Sequence, residues 1–203
     1  MTVVAPAPRV DEPAPLALAN TLSIDRHGVH DALAEPDYVH TWIRAVGRRL
    51  EMRPAPGSTD GLRPETAGRL IVVRDAFRRL AAEATGDSRE LVVSPVPDVA
   101  TAVSLINAAS AAETVWPELR MHRRRTLTRQ DAWSGEAFSD AVITVIARQA
   151  IELVTSPRWE MLRACEAPAC AHFFIKEHRR EWCSALCGNR ARVARHAQRQ
   201  HNR

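Results

Sequence analysis

The sequence predicts a mainly α-helical body followed by a small cysteine-rich module, and an α+β fold if one short β hairpin forms. Of the 203 residues, 45% are hydrophobic and 26% are charged, a balance typical of a globular protein. Apolar residues recur at helical spacing upstream, whereas all four cysteines lie downstream of Arg163. We therefore predict a disordered Pro/Ala-rich segment over 1–15, a helical domain over 16–156 and the module over 157–203.

The body opens with a short apolar segment of ambiguous structure. Residues 16–22 are apolar except where Asn20 interrupts them, so periodicity allows either a buried helical turn or a strand. The first clear helix starts at Glu35-Pro36-Asp37, with proline at the first helical position. An amphipathic helix is predicted, because apolar residues follow at helical spacing at Val39, Trp42, Ile43, Val46 and Leu50.

Two further helices are predicted in the middle of the body. Residues 53–61 carry two prolines and two glycines and predict a loop. A helix reopens at Pro64, with an apolar stripe formed by Leu70, Val73, Phe77, Leu80 and Ala81. The next helix is expected from about Pro97-Asp98, with Val99, Val103 and Ile106 on its inner face.

The last part of the body changes its pattern twice. Between Thr114 and Trp133 the apolar residues sustain no helical repeat, which favours a short β hairpin. From Ser134 or Glu136 to about Val154 the helical spacing returns and predicts the longest helix. Ser156-Pro157 ends it, and the cysteine module follows at once, so we expect a tight connection between the two parts.

The cysteines form two close pairs, Cys165-x4-Cys170 and Cys183-x3-Cys187. Two such pairs can converge as four thiolates around one tetrahedral Zn²⁺. The alternatives are two disulfides or redox chemistry. Residues 1–15 have neither the basic start nor the apolar core of a secretion signal, which argues against an oxidising compartment. We predict one structural Zn²⁺ bound by Cys165, Cys170, Cys183 and Cys187, with His172, His178 and His196 as substitute ligands.

The local sequence predicts a treble-clef-like finger. Pro168 favours a turn within the first pair, and the second pair lies where a helix begins, with both thiolates on one helical face. Phe173, Phe174 and Trp182 would pack around the metal, while four arginines would offset its formal charge of −2: Arg163, Arg179, Arg180 and Arg190. Four protein ligands leave no open position for water, so we expect a structural ion and not a catalytic one. The sequence has no phosphate-binding glycine loop, nucleophile elbow or convincing catalytic pair, so we expect no enzymatic activity.

Charge is concentrated in the module. Residues 157–203 hold ten basic and four acidic residues, a net charge of +6, whereas the remainder holds 18 basic and 20 acidic residues, a net charge of −2. A basic module predicts a polyanionic partner, so DNA is expected, with RNA or a protein as the alternative. Asn189 either reads adenine or caps a turn. The candidate nucleic-acid-binding residues are Arg179, Arg180, Asn189, Arg190, Arg192, Arg195 and Arg199. The last four arginines of this list are spread around the C-terminal helix.

No apolar run approaches the ~20 residues that span a bilayer, so we expect a cytoplasmic protein.

The module resembles the CGNR zinc finger of bacteria. The resemblance rests on Arg180-Glu-Trp182-Cys183-Ser184-Ala-Leu-Cys187-Gly188-Asn189-Arg190-x-Arg192, with both cysteine pairs and Phe173-Phe174 in place. Upstream, Leu18-Ala-Asn20-Thr21-Leu22, Asp31-Ala-Leu33 and Trp42 resemble the opening of the ABATE domain. The resemblance implies a stress-induced transcriptional regulator whose finger binds DNA. The body would then form a homodimer or sense a signal, and a redox-sensing finger is the alternative, because oxidation of the thiolates would release the metal.

Overall fold

The computed structural model describes residues 12–25, 28–52, 63–89, 94–121, 125–134 and 137–201. The body contains helices α1 to α5 and two β hairpins: α1 (Ala14–Ala19), β1 (Leu22–Asp25), β2 (Gly28–Asp31), α2 (Pro36–Arg49), α3 (Thr66–Thr85), α4 (Val99–Ser110), β3 (Val115–Met121), β4 (Leu127–Trp133) and α5 (Phe138–Val154). The module contains a 3₁₀ turn (Pro157–Met161), β5 (Leu162–Ala164), β6 (Phe173–Ile175) and α6 (Ala185–His201). The mainly α fold is thus confirmed.

The strands form three two-stranded antiparallel sheets, β1–β2, β3–β4 and β5–β6. The hairpin predicted between Thr114 and Trp133 is confirmed, with β3 and β4 paired from Val115 opposite Trp133 to Met121 opposite Leu127. The hairpin β1–β2 is an addition that apolar spacing did not predict. The ambiguous segment over 16–22 divides between α1 and the start of β1.

Helix α1 begins within the segment that was predicted to be disordered. Ala14 and Pro15, which the disordered segment 1–15 was expected to include, lie in α1 and are buried. Proline is tolerated at this position because it occupies the first turn of α1, where its missing N–H would make no hydrogen bond within the helix. Residues 1–11 of that predicted segment lie outside the described residues, as does the loop predicted over 53–61.

The core of the body surrounds α1, whose Leu16 and Leu18 are completely buried. The predicted apolar stripe of α2 is confirmed, because Val39, Trp42, Ile43 and Val46 are all buried. Among the described helices α3 is the longest, with 20 residues against 17 in α5, so the prediction for α5 was wrong in this respect.

Helix α4 buries only part of the face that was predicted. Ala102 and Ile106 are buried against α3 and α5, whereas Val99 and Val103 are exposed. The prediction was right for Ile106 but wrong for Val99 and Val103, because alanine and valine recur all round this helix and apolar spacing alone does not select a face.

The cysteine module shares the core of the body. Leu162 in β5, together with Phe173 and Ile175 in β6, belongs to the same buried cluster as α1, α3 and α5. Phe173 therefore packs into the body and not around the cysteines, contrary to the sequence prediction, while Phe174 and Trp182 do pack against them. Alternation along β6 explains the split, since neighbouring side chains in a strand point to opposite faces. Within the described residues, no helix combines the length and apolar character needed to cross a membrane.

Candidate metal centre and basic helix

Four buried sulfur atoms converge at one point in the module. The Sγ atoms of Cys165, Cys170, Cys183 and Cys187 all lie within 4.8 Å of one another. Cys183 Sγ lies 3.3 Å from Cys187 Sγ and 3.6 Å from Cys170 Sγ, and Cys187 and Cys170 are 3.7 Å apart. A tetrahedron with Zn–S bonds of about 2.3 Å has sulfur atoms about 3.8 Å apart. The four thiolates therefore fit one structural Zn²⁺.

The hairpin β5–β6 places the first cysteine pair. Cys165 follows β5 directly, and its N–H donates to the carbonyl of His172 at 2.9 Å, which extends the strand pairing by one step. Between the two cysteines Ala169 adopts a left-handed conformation with φ of 52°, which tightens the turn and returns Cys170 toward Cys165. The metal ligands are thus held at the end of a short hairpin.

The start of α6 places the second pair. Cys183 precedes the helix, and Cys187 lies in its first turn, so the prediction that both project from one helical face was wrong. The Cys187 N–H donates to Ser184 Oγ at 3.1 Å, a hydrogen bond that fixes the helix entry. Gly188 packs closely against Trp182, since an added Cβ would lie 3.1 Å from Trp182 Cδ1.

Two of the four arginines expected beside the metal do lie there. Arg190 donates to Cys187 Sγ at 2.9 Å and to the carbonyl of Ala169 at 2.9 Å. The bond to Cys187 raises the pKa of Arg190, and a cation at this sulfur offsets the charge of the thiolates. Arg180 donates to the carbonyl of Cys183 at 2.7 Å and to Glu12 Oε1 at 3.0 Å.

The other two arginines lie elsewhere. Arg163 donates to the carbonyls of Glu160 and Leu162, and Arg179 is exposed. The prediction that they balance the metal charge was therefore wrong. Sequence proximity to a cysteine does not fix the direction of a side chain in a strand or turn.

Mutual hydrogen bonding separates the pKa values of the buried thiols. Bonds from Cys170 and Cys183 hold the pKa of Cys165 far below its ordinary value. The bond with Cys165 raises the pKa of Cys170 to about 12 and drives that of Cys183 far above the usual range. A bound divalent cation would remove these opposite pKa shifts, because it stabilises all four thiolates together.

Two arginines of the body also hold the metal centre, and sequence reasoning missed both. Arg89 donates to the carbonyls of Cys165 at 3.0 Å and Cys170 at 2.5 Å, while Asp87 holds its guanidinium at 2.6 Å. Arg78 donates to the carbonyls of Ala19 at 2.8 Å and Ala171 at 3.2 Å. These contacts span 59 to 93 residues, so no local motif could reveal them.

The three histidines considered as substitute ligands are not part of the sulfur cluster. Within the described residues the only group of this kind consists of the four cysteines. His172 Nδ1 lies 3.9 Å from Cys183 Sγ, His196 contacts Gln200, and His178 is exposed.

Three of the four predicted arginines of helix α6 form one stripe, and they are not spread all round its surface. At 100° per residue, Arg192, Arg195 and Arg199 fall within about 60° of one another. Asn189 Oδ1 accepts a hydrogen bond from Arg192, so this side chain orients an arginine of the stripe. Residues 195–200 are exposed on every side of the helix. Arg190 lies on a different side and is bound to the metal centre.

A helical body that shares its core with a four-cysteine, treble-clef-like module defines a zinc-finger protein. The family model described as "ABATE: Putative stress-induced transcription regulator" matches residues 12–157, and that of the CGNR zinc finger matches residues 161–200. The chain therefore belongs to the ABATE family and contains a CGNR zinc finger. No curated protein matches it significantly.

Proposed function

We propose that this protein is a DNA-binding transcriptional regulator in which one structural Zn²⁺ mounts α6 against the duplex. The observation that carries the proposal is the stripe of Arg192, Arg195 and Arg199 on a helix whose last turns are exposed on every side. Such a helix can enter a major groove while its arginines contact phosphates or guanine. The family description as a transcription regulator supports the same role.

The metal would act by holding the start of α6. Cys183 and Cys187 flank the helix entry, while Cys165 and Cys170 belong to a hairpin anchored in the body. Zinc would join the two, and binding of such an ion contributes on the order of 10–16 kcal/mol to folding a small module. Because four protein ligands leave no open position for substrate or water, we assign the ion no catalytic part and the protein no enzymatic activity.

Four exposed arginines would form the DNA contact. Arg179 lies on the loop before Trp182, and the other three form the stripe on α6. Arg180 and Arg190 are less suited to phosphate, since Glu12 and Cys187 already bind them. We therefore assign these two to supporting the finger and Asn189 to orienting Arg192. The body would supply dimerisation or the sensing of a signal.

Duplex DNA fits α6 better than duplex RNA does. The major groove of B-form DNA is about 12 Å wide and admits an α-helix, whereas that of A-form RNA is too narrow. Single-stranded RNA is most often recognised by exposed aromatic side chains that stack on bases. In the described part of the module Phe173 and Phe174 are buried and Trp182 packs beside the cysteines, so these rings are not free to stack on bases.

The test is a titration of the zinc-loaded chain with mixed-sequence duplex DNA. Replacing Arg192, Arg195 and Arg199 together by alanine should weaken binding at least tenfold and reduce the slope of log affinity against log salt by about three. The matched control is Arg129→Ala, because the side chain of Arg129 is 71% exposed on β4 of the body. The control should bind as the wild type does. Equal binding by the triple variant would contradict the proposal, and preferential displacement by RNA of the same length would replace DNA by RNA as the partner.

A further inference from the structure

A cavity of about 500 Å³ lies at the junction between the body and the zinc finger. One wall is formed by the body, with Ala17 of α1, Ile24 of β1 and Tyr38 of α2. The opposite wall is formed by the turn between the first two cysteines and by Leu186 and Arg190 at the start of α6. Small-molecule sites have volumes of about 300–1,000 Å³ and often lie between two structural units.

The walls of the cavity are mostly apolar. Ala17, Ile24 and Leu186 contribute aliphatic surface, and Tyr38 adds an aromatic ring. Burial raises the pKa of Tyr38 to about 12, so its hydroxyl stays protonated at physiological pH. Leu186 is 75% exposed at the first turn of α6, so a ligand in the cavity would remove apolar surface from water there.

The charged side chains that line the cavity, Glu12 and Arg190, already have hydrogen-bond partners within the protein. Glu12 accepts from Arg180 through one carboxylate oxygen and from Asn20 through the other, both at 3.0 Å. Arg190 donates to Cys187 Sγ. A charged ligand would have to compete with these contacts and would lose its own hydration, which is costly in an apolar site. A neutral ligand meets neither cost.

We propose that this cavity binds a neutral, mostly apolar small molecule. The occupant would cover Leu186 and contact Ile24 across the junction. Because the two walls belong to different parts of the chain, the occupant would also hold the start of α6 against the body. Binding at this site does not depend on DNA binding, so the two proposals fail or stand separately.

The probe is N-phenyl-1-naphthylamine, a neutral aromatic amine whose fluorescence rises in apolar surroundings, added to the full zinc-loaded chain. We expect saturable one-to-one binding with a dissociation constant on the order of 10 µM. Leu186→Glu should weaken it about tenfold or more, because the variant removes an apolar wall and adds a charge. Val193→Glu is the matched control, since Val193 is 69% exposed on the same helix but does not line the cavity.

Both substitutions are at exposed positions, so both variants should retain zinc, which a colorimetric zinc assay checks. Amide shifts on addition of the probe to the wild type should centre on Ala17 and Ile24. The proposal is overturned if the wild type shows no saturable binding, if Leu186→Glu binds as the wild type does, or if Val193→Glu loses as much as Leu186→Glu. The last result would place the probe on the exposed side of α6.

Discussion

Asn20 is the body residue whose removal should most directly loosen the attachment of the zinc finger. The Phe173 N–H donates to Asn20 Oδ1 at 2.9 Å, and Asn20 Nδ2 donates to the Phe173 carbonyl at 2.9 Å. Nδ2 also donates to Glu12 Oε2 at 3.0 Å. A single carboxamide at the end of α1 thus takes the place of a neighbouring strand beside β6. Asn20→Ala removes all of these bonds without adding bulk.

The expected loss in the free energy of unfolding follows from the burial of Phe173, which is 1% exposed. The substitution leaves its N–H and its carbonyl without the Asn20 partner in a site that admits little water. Leaving a buried donor or acceptor unsatisfied costs about 1–3 kcal/mol per group. We expect a loss of roughly 2–4 kcal/mol in the free energy of unfolding, which is about 5–15 °C in melting temperature for a chain of this size.

The assay is thermal unfolding of zinc-loaded protein, followed by circular dichroism. The control is Asn107→Ala, which makes the same chemical change on the exposed side of α4. It should stay within about 0.5 kcal/mol of the wild type. An unchanged melting temperature for Asn20→Ala, or an equal loss of stability in the control, would contradict this prediction.

Three further changes test other parts of the structure. Arg89→Ala should speed the transfer of zinc to a colorimetric chelator severalfold, because the carbonyls of the first cysteine pair lose their donor; unchanged release would show that the hairpin alone holds them. Addition of zinc at neutral pH should release at least two protons per ion, because the raised pKa values of Cys170 and Cys183 keep these thiols protonated until the metal binds. A pH indicator measures the release, and acidification should conversely release zinc. Zinc uptake without proton release would contradict this assignment. Gly47→Ala should destabilise the body by about 1–3 kcal/mol in urea unfolding, because the added Cβ would lie 2.4 Å from the ring of Phe138; wild-type stability would mean that the ring can move aside.

Local patterns predicted the parts of the structure that local chemistry determines. The spacing of the cysteines predicted the ligand cluster, and the apolar stripe of α2 predicted its buried face. The loss of helical spacing after Thr114 predicted the hairpin β3–β4. Each of these depends on residues within a few turns or strand steps of one another, so the sequence order alone carries the information.

The junction between body and finger could not be predicted in this way. Asn20 and Phe173 are 153 residues apart, and the bonds from Arg78 and Arg89 to the finger are comparably distant in sequence. Asn20 did stand out as a polar interruption in an apolar segment, but its partner could not be inferred. Arg190 was expected both beside the metal and on nucleic acid, and its bond to Cys187 favours the metal. Side-chain direction, which spacing does not determine, decides such cases.

We propose that zinc makes α6 a DNA-binding helix, and a titration at controlled metal content distinguishes this role from a purely structural one. Zinc-loaded and chelator-treated protein are titrated with mixed duplex DNA at several salt concentrations, and metal content is determined on the same samples. We predict one zinc per chain and binding that is lost on chelation, with a slope of log affinity against log salt of about −3 to −4 from four exposed arginines. One zinc per chain without DNA affinity, or DNA affinity that survives removal of the metal, would contradict the account.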